Sequence, residues 1–170
     1  DRATCPIFGD GAAGVLLEAT EEPYGLMDEI LCSDGEGVKH LHQVAGGSVK
    51  PASHETVDAR EHFIYQEGQA VFKWAVVKMA EATETILQRN DLTSEDISFL
   101  LPHQANMRII KATGSRLGLD EDKVLINIEK YGNTSSVSVP LTIVSELKDK
   151  LEGNKTLMMS AFGVGMTWAT

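Results

Sequence analysis

Two polar side chains, thirty positions apart, are the residues of this sequence best suited to chemistry. His103 follows the apolar run 97–101 and Pro102, and Asn133 follows a second apolar run, 124–128. An imidazole nitrogen and a carboxamide nitrogen can both donate a hydrogen bond to a bound oxygen atom. If the two runs are neighbouring strands, the pair faces one small volume at the same edge of a sheet.

Around each of the two residues the sequence predicts a strand, then a loop, then a helix. The first strand ends at Pro102, which places His103 at a carboxyl end, where open α/β sheets bind their ligands. The second strand leads through the polar loop 131–136 to a helix that begins just after Ser135 or Ser136, since Pro140 is acceptable only in its first turn. Strands that are consecutive in sequence are usually adjacent in the sheet.

Each residue also has an ordinary structural explanation. A histidine after a strand is more often structural than catalytic, and function has to be argued from a whole site. Asn-Thr-Ser-Ser before a helix is by itself a good capping sequence. The coincidence of both segments at one predicted edge favours a functional site.

Composition limits the class of protein. A chain of 170 residues with 42% apolar residues is long enough to bury a core, and no run approaches the roughly 20 apolar residues of a membrane span. The net charge of −10 argues against a nucleic-acid partner. Two cysteines without framework spacing, and no export leader at the start, are typical of a cytoplasmic protein.

The remaining pattern predicts an α/β protein. We expect a buried strand over 5–17, where small residues allow another backbone to approach closely, a strand over 26–32 and a long polar loop over 33–61. Helical spacing runs over 66–89 and 107–117, and an apolar stripe follows Asn133 at positions 137, 141, 144, 147 and 151. Strand 156–161 and a final strand close the chain.

Two site hypotheses are weak. The glycines near the start lack the following Gly-Lys-Ser/Thr of a phosphate-binding loop, so packing explains them better. His40 and His42 share one side of an extended segment, but no third ligand of suitable type is near, and zinc sites need three or four. We therefore predict no metal site and no cofactor.

The predicted helix 107–117 carries a cationic face. Arg108, Lys111 and Arg116 fall broadly opposite its apolar side, next to His103, on an otherwise acidic protein. Such a face is usually only solvated. Its position at the mouth of the predicted site makes docking of an acidic partner equally plausible, because electrostatic complementarity guides encounter and register.

Four motifs in order give the chain a family resemblance. They are Gly-Asp-Gly-Ala from residue 9, His-Gln-Ala-Asn-x-Arg-Ile-Ile from 103, Gly-Asn-Thr-Ser-Ser from 132 and Phe-Gly-x-Gly-x-Thr-Trp from 162. Together they resemble β-ketoacyl-acyl-carrier-protein synthase III, a thiolase-fold condensing enzyme, in its C-terminal half only. The resemblance implies a mixed five-stranded sheet flanked by helices, one half of the pseudo-duplicated αβαβα core. Residues 1–60 would end the N-terminal half and add a long loop, and residues 61–170 would form the C-terminal half.

The resemblance also implies an activity. Family members condense an acyl-CoA primer with a malonyl thioester on acyl carrier protein, with loss of carbon dioxide, and so initiate fatty acid synthesis as homodimers. By match, His103 and Asn133 stabilise the enolate oxygen, and the backbone amide of Val164 helps to bind the oxyanion of acylation. The family usually has glycine or alanine at the position of Val164, so the added bulk could narrow the primer pocket.

Further roles are carried over in the same way. The substrate and CoA channel would include Gly68, Gln69, Phe72, Ala105, Asn106, Phe162 and Gly163. Lys73 would join the cationic face in docking the carrier protein; an exposed lysine on an amphipathic helix is the plain alternative.

The nucleophile is the residue that the resemblance does not supply. Family members use a cysteine at a helix amino terminus, where its pKa is lowered, and neither Cys5 nor Cys32 has that context. We therefore expect a fragment that cannot condense substrates alone. Two alternatives stay open for the parent protein, namely a related ketosynthase or acyltransferase of secondary metabolism and a non-catalytic binding domain.

Overall fold

The computed structural model describes residues 4–170 as an α/β structure. The strands are β1 (Leu31–Ser33), β2 (Leu41–Gln43), β3 (Ile64–Gln66), β4 (Phe99–Pro102), β5 (Leu157–Gly163) and β6 (Thr167–Ala169). The helices are α1 (His54–Asp58), α2 (Gly68–Arg89), α3 (Met107–Arg116), α4 (Ile128–Tyr131) and α5 (Ser138–Thr142). The α/β prediction is confirmed.

The main sheet has four strands in the order β1-β6-β5-β4. β4 and β5 are parallel, whereas β5 with β6 and β6 with β1 are antiparallel, so the sheet is mixed. β2 and β3 form a separate antiparallel hairpin. The parallel pair matters for the site, because β4 and β5 both end at the edge where His103 begins its loop.

The two long helices pack together against the sheet, as their sequence patterns predict. α2 buries Val71, Ala75, Met79 and Ala82, a spacing that keeps one face toward β5, β6 and α3. α3 buries Ile110 and Thr113 on the predicted side, with Leu117 just beyond its end. β4, which lies between them in sequence, is fully buried at Leu100 and Leu101.

The predicted buried strand over 5–17 is wrong. The segment has a single parallel bridge, between Phe8 and Asn133, and residues 10–27 are exposed. A strand needs a neighbour to satisfy its backbone groups, and among the described residues no other segment pairs with it beyond Phe8. The close backbone approach does occur at Gly9, where a Cβ would lie 2.0 Å from the carbonyl oxygen of Tyr131.

The predicted strand over 124–128 is reduced to one bridge. Val124 pairs in parallel with Leu100 at the free edge of β4, the position that a fifth strand would occupy. The chain then leaves the edge because the Gln104 side chain, instead of a strand, binds the backbone amides of Asn127 and Ile128. The sheet therefore has four regular strands where five were expected.

The predicted apolar stripe after Asn133 is confirmed at Leu147, which is fully buried, but is wrong about the rest of the buried face. A 3-10 turn at Ser135–Val137 leads into α5, and a π-helical turn follows at Ile143–Leu147. Ser138, Thr142 and Leu147 are buried, while Val144 is 67% exposed. The wider π turn places Leu147, five positions after Thr142, on the same buried face. The two hydroxyl side chains are tolerated inside because they find partners; Thr142 Oγ1 donates to the Ser138 carbonyl at 2.8 Å.

The long segment 33–61 has more structure than its composition suggests. It holds the 3-10 helix Gly35–His40, strand β2 and helix α1. His40 Nδ1 lies 2.5 Å from Glu67 Oε2, and His42 packs its ring on Tyr65.

Within residues 4–170, no three His, Cys, Asp or Glu side chains are grouped to hold a metal ion. In the same residues, no helix combines the length and apolarity needed to cross a bilayer.

Candidate active site

His103 and Asn133 both line one cavity of about 1120 Å³. The cavity opens where β4 and β5 end, between the loop that follows β4 and the loop that follows α4. The two segments therefore line the same cavity, and a helix rather than a strand precedes Asn133. The cavity walls combine apolar side chains with a few polar groups, which is typical of a small-molecule site.

His103 is held from two sides. Its backbone amide donates to the carbonyl of Ser160, at 2.7 Å, so the residue extends the β4–β5 ladder by one step. Its ring nitrogen Nδ1 lies 2.7 Å from Ser138 Oγ, and Nε2 has no hydrogen-bond partner among the residues that the structure describes. Burial lowers the pKa of His103 below its usual value, because a low-dielectric setting disfavours the imidazolium. The ring is a neutral donor or acceptor at neutral pH.

Asn133 is fixed by its backbone and by its own side chain. Its amide donates to the Ile7 carbonyl at 2.9 Å, and its carbonyl accepts from Gly9 at 3.0 Å. The side-chain oxygen Oδ1 accepts from the backbone amide of Ser135 at 2.9 Å. Since the oxygen is engaged, the Nδ2 amide is the group that remains to donate.

Gln104 is a central residue that the sequence reasoning passed over. It is fully buried, its Nε2 donates to the carbonyls of Pro102 and Leu125, and its Oε1 accepts from two backbone amides at the start of α4. The side chain thus ties the loop of His103 to the segment that leads to Asn133. In the sequence it is only a polar residue between two apolar runs. That pattern does not distinguish a buried glutamine with several hydrogen bonds from an exposed one.

Ser138 was also missed. It is fully buried in the first turn of α5, and its hydroxyl contacts both the His103 ring and the backbone amide of Gln104. No sequence pattern links a serine to a histidine 35 positions away, and only the shared edge of the sheet brings them together.

The cavity wall contains every residue that the resemblance assigned to the channel and to the acylation oxyanion. These residues are Gly68, Gln69, Phe72, Ala105, Asn106, Phe162, Gly163 and Val164. Val164 lies in the turn between β5 and β6 and is 59% exposed.

The four predicted docking residues lie outside or at the rim of the cavity. Arg108 lines it and holds its guanidinium 5.3 Å from the Phe72 ring centre. Lys73, Lys111 and Arg116 are exposed and do not line it. None of the four forms an ion pair with any residue from 4 to 170. Their positive charge is therefore available to a partner.

The two cysteines differ in position. Cys5 is exposed, and Cys32 lies in the middle of β1 and lines the cavity. The sequence placed Cys32 near a strand end without predicting that it reaches the cavity. Neither thiol lies at a helix amino terminus.

Comparison with known proteins gives a consistent result. The model of the 3-oxoacyl-[acyl-carrier-protein] synthase III C-terminal region matches residues 87–170, and the model of 3-oxoacyl-[acyl-carrier-protein] synthase III matches residues 1–35. The β-ketoacyl-[acyl-carrier-protein] synthase III of Porphyromonas gingivalis is 55% identical over 168 residues, which are 99% of this chain and 50% of that protein. The chain belongs to the 3-oxoacyl-[acyl-carrier-protein] synthase III family.

Other members of the synthase III family show the same extent of match. The protein of Chlorobaculum tepidum is 52% identical, over 99% of this chain and 52% of its own length. The crystal structure of the Aquifex aeolicus enzyme superposes with a TM-score of 0.85 at 33% identity, and that from Thermus thermophilus with 0.85 at 37%. These cover 99% of this chain and 50% and 52% of theirs. The chain spans about half the length of the relatives it matches, and the thiolase-like fold is confirmed.

Proposed function

We propose that this chain forms the C-terminal portion of a β-ketoacyl-acyl-carrier-protein synthase III. The enzyme would condense an acyl-CoA primer with malonyl acyl carrier protein in the cytoplasm, as a homodimer, and so initiate fatty acid synthesis. The observation that carries the proposal is the placement of His103 and Asn133 on one cavity, each with a side-chain nitrogen that has no hydrogen-bond partner among residues 4–170.

The proposal includes a division of the chain into two parts. Residues 1–60 would end the N-terminal half and add a loop, and residues 61–170 would form the C-terminal half. Support comes from the two family models, of which the C-terminal one begins at residue 87 and the other ends at 35. β1 of the first part nevertheless pairs with β6 of the second, so the parts share one sheet.

The role of the two side chains follows from the charge that decarboxylation creates. When a malonyl thioester loses carbon dioxide, the electron pair of the broken carbon–carbon bond moves onto the thioester carbonyl, whose oxygen becomes negative. His103 Nε2–H and Asn133 Nδ2–H would donate to that oxygen. Neutral donors that are already fixed stabilise the charge without reorganising, and loss of one commonly lowers a rate by about 10²–10³-fold.

The second step joins two carbon atoms. The enolate carbon attacks the carbonyl of the primer, which is held as a thioester, and the thiolate leaves. In the earlier acylation step, which transfers the primer from CoA to the enzyme nucleophile, the negative oxygen formed on the primer carbonyl would be met by the backbone amide of Val164. This placement is supported by the lining position of Val164 between the two last strands.

A carrier protein would dock on the cationic residues at the cavity rim. The chain has a net charge of −10, so an acidic carrier is attracted only by a local patch. Arg108 at the rim, and the exposed side chains Lys73, Lys111 and Arg116 beyond it, provide positive charge that is not ion-paired within residues 4–170. We expect Lys111→Glu to raise KM for malonyl acyl carrier protein about tenfold and to leave turnover of malonyl-CoA unchanged, since only the carrier needs the patch.

The same comparison of substrates separates the proposal from a secondary-metabolic enzyme. An enzyme of fatty acid initiation prefers the carrier-bound malonyl group over malonyl-CoA. Equal turnover of the two, with no effect of Lys111→Glu, would favour an enzyme whose acceptor is not a carrier protein.

Neither Cys5 nor Cys32 is proposed as the nucleophile. Family members carry the nucleophilic cysteine at a helix amino terminus, whereas Cys32 lies inside a strand and Cys5 is exposed, outside any helix. The 170-residue chain, incubated with a labelled acyl-CoA, should therefore carry no acyl group. Stoichiometric labelling of Cys32, abolished by Cys32→Ser, would contradict this assignment.

Kinetics of single variants test the function. In the full-length gene product, His103→Ala and Asn133→Ala should each lower the rate of malonyl-thioester decarboxylation by about 10²–10³-fold. His54→Ala, on the exposed side of α1, and Asn154→Ala, in an exposed turn, remove the same groups elsewhere and should change nothing. Wild-type rates for either site variant would refute the proposal.

A further inference from the structure

The hydroxyl of Ser138 lies between two groups of the loop that carries His103. Its oxygen is 2.7 Å from His103 Nδ1 and 3.3 Å from the backbone nitrogen of Gln104. The residue is fully buried, so water cannot serve as an alternative partner for its proton. The two contacts therefore determine how the hydroxyl is oriented.

The proton positions follow from what each group can donate. The Gln104 amide is a donor only, so the Ser138 oxygen must accept from it. The hydroxyl proton then needs an acceptor, and among residues 4–170 His103 Nδ1 is the one that Ser138 Oγ contacts. If Nδ1 carried a proton instead, the serine proton would be buried without a partner, which proteins avoid.

We propose that Ser138 is a positioning residue that holds His103 in its Nε2–H tautomer, so that the ring presents a donor to the cavity. The inference rests on the proposed function for its catalytic consequence but not for the tautomer itself. A ring in the other tautomer would present a lone pair at Nε2, which repels an enolate oxygen instead of binding it.

The position of Ser138 also couples the two donors. It lies in the first turn of α5, five residues after Asn133. Between the two residues, Asn133 Oδ1 accepts a hydrogen bond from the backbone amide of Ser135. Ser138 thus fixes the ring of one donor from the helix that follows the other. Thr142 donates to the Ser138 carbonyl one turn later and does not touch the histidine, which makes it a matched control.

Nitrogen NMR of the full-length gene product, with ¹⁵N-labelled histidine, reads the tautomer directly. At pH 7.5 the His103 ring should show a protonated Nε2 and an unprotonated Nδ1. In Ser138→Ala the two nitrogens should move toward a mixture of tautomers, whereas Thr142→Val should keep the wild-type pattern. A wild-type ring protonated at Nδ1 would overturn the proposal, whatever the catalytic activity.

Kinetics then test the catalytic consequence. Ser138→Ala should lower kcat for malonyl-thioester decarboxylation about tenfold, with KM little changed, because the histidine stays present and only its donor is lost part of the time. Ser138→Thr, which keeps a hydroxyl, should recover most of the rate. An unchanged kcat in a folded Ser138→Ala protein would overturn the positioning role.

The two failures are distinguishable. If His103→Ala and Asn133→Ala leave decarboxylation intact while NMR still shows a serine-dependent Nε2–H, the proposed function fails and the tautomer assignment stands. If those variants are inactive and the Ser138→Ala ring stays fully Nε2–H, the proposed function stands and the role of Ser138 fails.

Discussion

At the scale of single residues, the burial of His103 should be visible in the folding stability of the protein. Burial keeps the pKa of this histidine below the value of about 6.5 that it has in an unfolded chain. Below that pH the unfolded state takes up a proton that the folded state resists. The free energy of unfolding should therefore fall as the pH is lowered from 7.5 toward 5.

The contribution of His103 is isolated by a variant. We expect His103→Gln to show a smaller loss of stability over the same pH range, measured by urea unfolding at both pH values. His54→Gln, at an exposed position, should follow the wild type. A His103→Gln protein with the wild-type pH dependence would show that the imidazole is not protected from protonation.

Gln104 should be among the most sensitive polar residues of the protein. Gln104→Leu leaves the buried backbone amide of Asn127, and that of the neighbouring Ile128, without an acceptor. An unsatisfied buried group costs about 1–3 kcal/mol, so the two amides together predict a loss of roughly 2–6 kcal/mol in the free energy of unfolding. Gln88→Leu, on the exposed face of α2, should change stability by less than about 0.5 kcal/mol in the same urea titration.

The two candidate catalytic residues could be predicted from the sequence, but the residues that hold them in place, Ser138 and Gln104, could not. His103 and Asn133 were identified from polar residues after apolar runs and from the family motifs. Ser138 and Gln104 act through contacts between segments more than twenty positions apart, which have no local periodicity. Such contacts become visible only when the order of the strands is known.

At the scale of elements, α3 packs against the Val124 segment with no spare room at Gly114. A Cβ at Gly114 would lie 2.6 Å from Val124 Cγ2. Alanine gains about 1 kcal/mol over glycine in a helix, but overpacking costs about 1–3 kcal/mol, so Gly114→Ala should destabilise the protein by about 1 kcal/mol.

The cause of that loss can be tested with a double-mutant cycle. In a Val124→Ala background the clash is absent, and Gly114→Ala should become neutral or stabilising. Thermal unfolding of the four proteins of the cycle measures the coupling. The same cost of Gly114→Ala in both backgrounds would show that helix conformation, not contact with Val124, decides the effect.

The elements differ in how well the sequence predicts them. α2 and α3 have a helical period and a buried face long enough to be recognised, and both were predicted within about two residues. The segment 124–128 has the composition of a strand, yet the Gln104 side chain, not a strand, accepts the backbone hydrogen bonds of Asn127 and Ile128. Composition does not show whether a partner strand or a side chain will satisfy a backbone group.

At the scale of the whole molecule, the apolar residues near the start of the chain are unusually exposed. Leu16, Leu17 and Leu26 are each 84% exposed, and Val15 is 66% exposed. Monomeric proteins rarely expose contiguous apolar patches of this kind, and such patches promote association. We expect the 170-residue chain to self-associate at micromolar concentrations.

Sedimentation velocity over a concentration series checks this expectation. Leu16→Asp with Leu17→Asp should shift the protein toward a monomer, while Val49→Asp, at a fully exposed valine in another segment, should leave the association unchanged. A wild-type chain that stays monomeric over a roughly 100-fold range of concentration, up to about 100 μM, would contradict the role assigned to the exposed apolar residues.

The most direct measurement for the molecule is a crystal structure of the full-length gene product with a non-hydrolysable malonyl-thioester analogue. We predict that its thioester oxygen lies within about 2.7–3.2 Å of both His103 Nε2 and Asn133 Nδ2, in the cavity that both side chains line. An analogue whose oxygen contacts neither nitrogen, or side chains that bind two different atoms of it, would contradict the account.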